Sequence, residues 1–422
     1  MEGIFPFLVI ILAAALAALV VWELLPERRT LRAGATGGMP ERGEGYAVAG
    51  QLPRLQVVHA ADDGTLYGVD DHHLFVSRDG GRSFSRRGTL PPAAPGAIGL
   101  LKDRLLRAKL TRRLRGNRGP TCVATLSSGT ILVFWGRIFR SDDGGRHFQA
   151  VFDPAAVGLK AGPFDFGVGT AVGADDTVYV AEYTTAPRPH PVHILRGRDD
   201  GRRWEIAYRF EPGEIFHVHS ITYDPYRRGF WVCTGDYDEE TALRFTADAF
   251  KTLTTVGGGS QDWRIVSLIV TPDYLYWGSD NDREEGAAIF RWDIANRRLE
   301  KLQHIGKVSY YATRLRDGTL AISTTYEPQS PYTRARSPKA SCELWVSRDG
   351  ERWQQLLDLP YEPMQLPWGP ARAQIAFPSG AALDRLFLIP RFTQGDPFRT
   401  VVLDLNPTQP AAAARPRLAA SG

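Results

Sequence analysis

Most of the features that announce a chemistry from sequence alone are scarce in this chain. Its 422 residues include three methionines and three cysteines. Cys122, Cys233 and Cys342 lie far apart and are odd in number, so neither a disulfide framework nor a C-x-x-C metal spacing can be built from them. Each sits in an apolar, strand-like run and reads as a buried thiol. Helical periodicity is almost missing between residues 44 and 405. The net charge of +4 is too mild to imply a nucleic-acid partner. No cofactor motif stands out, and no cofactor is expected.

Hydrophobic content of 43% and charged content of 23% are globular values, so most of the chain can bury a core. The run Ile4–Trp22, "IFPFLVIILAAALAALVVW", is 19 residues without a charge, close to the span of a bilayer's hydrocarbon layer. Glu2 precedes it and "ELLPERR" follows, which suits a retained single-pass anchor (residues 1–26) better than a cleaved signal peptide. Arg28, Arg29 and Arg32 follow the run with no basic residue before it, so flanking charge places the remainder on the cytoplasmic side. Residues 27–43 read as a linker and 406–422 as a disordered tail.

Between these ends, short apolar runs alternate with Asp-Gly turns. Aligned under one another they form about seven sets of strands. "LQVVHA", "TLYGV" and "HLFVS" precede "SRDGGRSF" at Ser77–Phe84. "TCVATL", "TILVFW" and "RIFRS" precede "SDDGGRHF" at Ser141–Phe148. "GRDDGRRW" (Gly197–Trp204) and "SRDGERW" (Ser347–Trp353) are further copies, and a worn one surrounds Asp248 and Phe250. The seventh set lacks a fourth strand, and "GYAVAG" at Gly45–Gly50 can supply it from the other end of the chain. That pairing would close a ring and remove the sheet edges. The expectation is an all-β, seven-bladed β-propeller of four-stranded antiparallel blades over residues 44–405, with six blades as the alternative.

The turns resemble the Asp-box, or BNR, repeat of sialidase-like propellers, roughly Ser-x-Asp-x-Gly-x-x-aromatic. In those turns Asp79, Asp143, Asp199 and Asp349 can accept backbone hydrogen bonds, and Phe84, Phe148, Trp204 and Trp353 can pack inward. The resemblance implies folding staples rather than catalysts. It also implies, for activity, an arginine triad, a Tyr–Glu nucleophile pair and an Asp acid. The family's Arg-Ile-Pro motif has no counterpart here; "LPR" at Leu52–Arg54 stands nearest. Membership would favour an extracytoplasmic location, against the charge argument.

In an up-down sheet the boxes lie on one face, and the loops joining strands two and three lie on the other. Those loops lengthen and turn polar in the later sets. With the starts of the inner strands, they supply candidate catalytic residues His219, Asp236, Arg264, Asp280 and Tyr311. Candidate binding residues are Glu182, His217, Tyr310, Tyr326, Arg372 and Arg391, with Asp165 nearby. Convergent polar groups in a concave place suit a ligand. No metal site is assigned, although His217 and His219 at i, i+2 point the same way and could ligate one with Asp236. Asp236 and Asp280 could form an acid/base pair for glycosidic cleavage. Arg264, Arg372 and Arg391 could clamp an anion, and such a pocket would suit a uronate lyase.

Residues 97–118 carry Lys102, Arg104, Arg107, Lys109, Arg112, Arg113, Arg115 and Arg118 against Asp103. With leucines at near-helical spacing they read as a basic amphipathic insertion able to meet anionic lipid or another polyanion. Two functions remain open: a membrane-tethered glycan- or protein-binding module, and a carbohydrate-active hydrolase or lyase acting on acidic sugars.

Overall fold

The computed structural model describes residues 30–34, 41–92, 120–159, 167–184, 189–283, 286–330, 339–362, 372–395 and 399–405. The expected anchor helix, basic insertion, disordered tail and Asp165 lie outside the described residues. Among the described residues no helix is long and apolar enough to cross a membrane. Three short 3-10 turns, Pro154–Val157, Gly167–Gly169 and Gln261–Trp263, are the helical structure present among them.

Seven sheets, each with four antiparallel blade strands, follow one another along the chain. Blade one holds Gln56–Ala60, Leu66–Asp70, His73–Ser77 and Ser83–Thr89. Blade four holds Val218–Asp224, Gly229–Thr234, Ala242–Thr246 and Thr254–Gly258. The last blade takes Gln374–Ala376, Leu386–Arg391 and Thr400–Asp404 from the end of the chain. Its outer strand is Tyr46–Leu52, antiparallel to Thr400–Asp404 with Ala47 opposite Asp404 and Leu52 opposite Thr400. The fold is therefore a seven-bladed β-propeller closed by a strand from the N-terminal side, as the repeat count implies.

A near-continuous apolar run in the second strand of each blade buries both of its faces. The result is seven buried clusters, one at each junction between neighbouring blades. The three cysteines are free and buried in three of them. Two stretches of the expected linker are ordered. Thr30–Arg32 pairs along the outer strand of blade one, and Arg42–Gly43 folds back on Tyr46–Ala47. The turn after Ala376 enters the channel, where Ser379–Gly380 runs parallel to His59–Ala60 and the Ser379 hydroxyl meets Val58 O at 3.2 Å.

The repeated turns are a hydrogen-bonding device. In blade one the buried Ser77 hydroxyl donates to Asp79 Oδ1 at 2.7 Å and accepts from the Gly81 amide at 3.0 Å. Asp79 Oδ1 also accepts from the Ser83 amide at 3.0 Å. Ser141 and Asp143 repeat the pattern in blade two, Ser347 and Asp349 in blade six, and Thr246 and Asp248 in the worn copy of blade four. Gly81 has φ +86°, and a Cβ there would lie 2.8 Å from Phe387 of blade seven, so the turn needs glycine for conformation and for space. The aromatics behave as expected: Phe84 packs between blades seven and one, and Trp353 between blades five and six.

The third copy departs from expectation. Gly197 stands where the others have a hydroxyl, and the Asp199 carboxylate pairs with the exposed Arg203 instead of holding its own turn. Its neighbour Asp200 takes over a structural task, accepting from Thr130 at 2.7 Å and pairing with the buried Arg140 across the junction to blade two. Ser77→Ala should lower stability by about 1 kcal/mol, because the Gly81 amide loses its buried acceptor. Asp199→Ala should change it by less than about 0.5 kcal/mol. Thermal denaturation of both variants checks the contrast.

Candidate functional site

The inner strands begin at one end of the central channel, which encloses a cavity of 1640 Å³. Two local distortions aim side chains into it. His219 is an extra residue between the paired positions Val218 and Ser220, and Tyr310 is an extra residue between Ser309 and Tyr311. Each bulge interrupts strict alternation, so neighbours that would face opposite ways can both reach the channel. His217, His219, Tyr310 and Tyr311 all line it.

A glycine positions the next member. Gly235 closes the second strand of blade four at φ +118°, and a Cβ there would lie 2.5 Å from the Thr241 backbone. The chain then delivers Asp236, whose Oδ1 lies 3.2 Å from His219 Nε2, 3.6 Å from His217 Nε2 and 3.0 Å from Arg264 Nη2. Arg264 follows the 3-10 turn Gln261–Trp263. Its Nη2 also meets Asp280 Oδ2 at 3.1 Å, and its Nη1 meets Asp282 at 3.3 Å. Tyr183 stacks on His217 at 4.0 Å between ring centres.

A second group adjoins this one. Tyr310 Oη donates to Glu327 Oε1 at 2.6 Å, and Arg372 contacts the same Oε1 at 3.0 Å and Tyr310 Oη at 3.4 Å. Arg391 lines the cavity at the junction of blades seven and one and donates to Gln56 at 3.0 Å.

Burial and charge split the two aspartates. Asp280 is pushed well above the usual carboxylate range by burial, reinforced by Glu327, Asp236 and Asp282 against the pull of Arg264. Burial would raise Asp236 as well, but the contacts with His217 and His219 outweigh it and hold that carboxyl well below the usual range. Burial pushes the His219 imidazole down to about 4 despite the Asp236 contact, so the ring is neutral at pH 7. Burial, with Asp280 and Glu327, also raises the Tyr310 phenol well above its ordinary value.

Several sequence expectations need correction. Glu182 does not line the cavity; it is buried against His193, accepting from that residue's amide at 3.0 Å and Nδ1 at 2.8 Å. Tyr326 packs in the core between blades six and seven, beside Tyr361. Their successors, Tyr183 and Glu327, reach the channel instead. A shift of one residue where a strand ends changes the face to which its side chain belongs. Nor do Asp236 and Asp280 flank an open space: both hold one nitrogen of Arg264, so their oxygens are at most about 6 Å apart with a guanidinium between them. A glycosidic oxygen cannot lie between the two. Arg264, bound by three carboxylates, is also unavailable to an anion clamp. Arg372 and Arg391 remain.

His217, His219 and Asp236 form a three-residue group of possible metal donors among the described residues, their atoms all within 4.8 Å of one another. Each histidine directs Nδ1 at a backbone carbonyl, Thr184 O or Ile265 O, at 3.1 Å. His217 Nε2 is buried without a hydrogen-bond partner. An orphaned ring nitrogen beside a second nitrogen and a carboxylate is a donor set that fits a divalent cation.

No family model and no curated protein matches the sequence. Among solved structures, the chain is similar to an oligogalacturonate lyase in complex with manganese, with a TM-score of 0.53 and 8% identity over 90% of this chain and 98% of the other. It is also similar to the GH74 xyloglucanase from Xanthomonas campestris, with a TM-score of 0.53 and 14% identity. That match covers 82% of this chain and 52% of the xyloglucanase, so the chain spans about half of that enzyme. At these identities the likeness is one of fold.

The split between the aspartates has a stability signature. Asp280 titrates above its unfolded value, so its contribution to folding is full at acid pH and is lost as pH rises toward the raised pKa. Asp236 titrates below its unfolded value, so its contribution is full at neutral pH and is lost as pH falls through the carboxylate range. At neutral pH, Asp280→Asn should hold or raise the melting temperature, and Asp236→Asn should cost about 1–3 kcal/mol. Denaturation at neutral and acid pH checks both signs; the same sign for both variants would contradict this assignment.

Proposed function

We propose that this chain is a carbohydrate-active enzyme that cleaves an acidic polysaccharide by β-elimination, held at a membrane by Ile4–Trp22. The observation that carries the reading is one cavity containing a carboxyl that favours its protonated form, Asp280, beside a phenol–carboxylate couple, Tyr310 and Glu327, with Arg372 against both. Elimination from a uronate needs a group to remove the proton next to the carboxylate, a group to protonate the departing oxygen, and positive charge for the carboxylate. Tyr310 Oη can take the proton as its own passes to Glu327 Oε1, 2.6 Å away. Asp280 can donate to the leaving oxygen. The Arg372 guanidinium can pair with the substrate carboxylate and oppose the charge that develops on the phenol.

One further point supports this reading over hydrolysis: Arg264 fills the gap between Asp236 and Asp280. The fold likeness to a lyase and to a xyloglucanase supports carbohydrate chemistry in general, by analogy only. The Ser-x-Asp turns support a kinship with Asp-box propellers through a shared folding device. The basic insertion at 97–118 links blades one and two, and we assign it to anionic headgroups near the anchor. A glycan-binding module without turnover is the second reading. It is favoured by Arg264, whose guanidinium is already held by Asp236, Asp280 and Asp282.

Incubating the full chain with oligogalacturonate, alginate and glucuronan, and following the ultraviolet absorbance of unsaturated product, separates the two. Cleavage of one of them is expected, with kcat falling about 100-fold or more in Tyr310→Phe and Asp280→Asn while the circular dichroism spectrum is unchanged. Binding of an acidic glycan with no unsaturated product would leave only the second reading.

A further inference from the structure

The electrostatics around Asp236 are incomplete as the side chains stand. His217 Nδ1 faces Thr184 O and His219 Nδ1 faces Ile265 O, both at 3.1 Å. A carbonyl oxygen can only accept, so each Nδ1 carries a proton, and in a neutral ring the Nε2 then presents a lone pair. Both lone pairs point at the same carboxylate oxygen, from 3.6 and 3.2 Å. With both rings neutral, three electron-rich atoms meet at one point. Arg264, at 3.0 Å from Asp236 Oδ1, answers part of that charge but does not reach the orphaned His217 Nε2.

We propose that His217 Nε2, His219 Nε2 and an oxygen of Asp236 bind one divalent first-row transition metal ion at the channel mouth. The separations of 3.2 and 3.6 Å fall within the span of about 4 Å that two ligands on one metal can have. Metal-bound histidines characteristically donate their other ring N–H to a carbonyl, which fixes ring orientation, and both rings here are so held. Two imidazoles and one carboxylate suit manganese, iron, cobalt or zinc rather than magnesium or calcium, which take oxygen ligands. Three protein donors also leave coordination positions open toward the cavity. The surroundings tolerate the added charge, because Asp282 already pairs with Arg264 on its other side. The inference deepens the lyase reading by giving the cavity a second positive centre for an acidic sugar, yet it does not depend on turnover.

The test uses the full-length chain in detergent, stripped with a chelator and dialysed. Titration with Co²⁺ should raise visible ligand-field absorption that saturates at one ion per chain. Zn²⁺ should displace it, and the chelated protein should melt at a lower temperature than the loaded one. His219→Ala and Asp236→Asn should weaken Co²⁺ binding about tenfold or more. His217→Gln, which keeps a polar side chain of similar bulk, guards against a simple folding defect. Melting curves in chelator identify variants that remain folded. Absence of saturable Co²⁺ absorption in the folded native chain, or undiminished binding in the folded variants, would overturn the proposal. Metal binding without cleavage of any uronate would sink the lyase reading alone; cleavage by a chain that takes up no metal would sink this one alone.

Discussion

The pairing of Tyr46–Leu52 with Thr400–Asp404 is the constraint on which the rest depends. Without it the last blade would lack its outer strand and the ring would be an open stack with two exposed edges. Once it forms, the blades have a fixed number and a common axis, and each of the seven junctions can be filled with apolar side chains. Contacts carry the closure inward: Thr400 Oγ1 donates to Leu55 O at 2.7 Å and accepts from the Val57 amide at 2.9 Å. The seam between the chain ends is thus welded to the first inner strand.

Radial closure also determines where chemistry can occur. Antiparallel strands send the box turns to one end and the joints of strands two and three to the other. The two ends are under different demands. At the box end, short hydrogen bonds within single turns satisfy local backbone donors, and glycine lets one blade approach the next. At the other end, side chains from four successive blades meet at the axis: His217 and Asp236 from the fourth, Asp280 from the fifth, Tyr310 and Glu327 from the sixth, Arg372 from the seventh.

That meeting is costly for a protein interior. Burial pushes Asp280 toward its neutral form, and three carboxyl groups crowded on one guanidinium are a poor choice for stability. Places where a fold departs from its own packing logic are where function is expected. The bulges at His219 and Tyr310 fit the same pattern, since each interrupts a ladder in order to aim a side chain.

Repeat number, closing strand and staple turns were legible in the sequence because they depend on local periodicity and on turn residues with narrow conformational uses. Gly81 and Ser77 announce themselves wherever they occur. The candidate site was legible in its residue types: the pattern of "HVHS", "TGD" and "DWR" led to His217, His219, Asp236 and Arg264. It was not legible to the residue at strand ends. Glu182 and Tyr326 were expected where Tyr183 and Glu327 stand, because alternation shows that two faces exist without fixing the position at which a strand stops. Asp199 was expected to hold its turn, and the missing hydroxyl at Gly197 explains why it does not. Charge balance belonged to the tertiary structure alone. That three carboxyl groups hold Arg264, and that two histidine Nε2 atoms face one aspartate oxygen, follows from distances between strands and between blades, which no spacing along a chain contains.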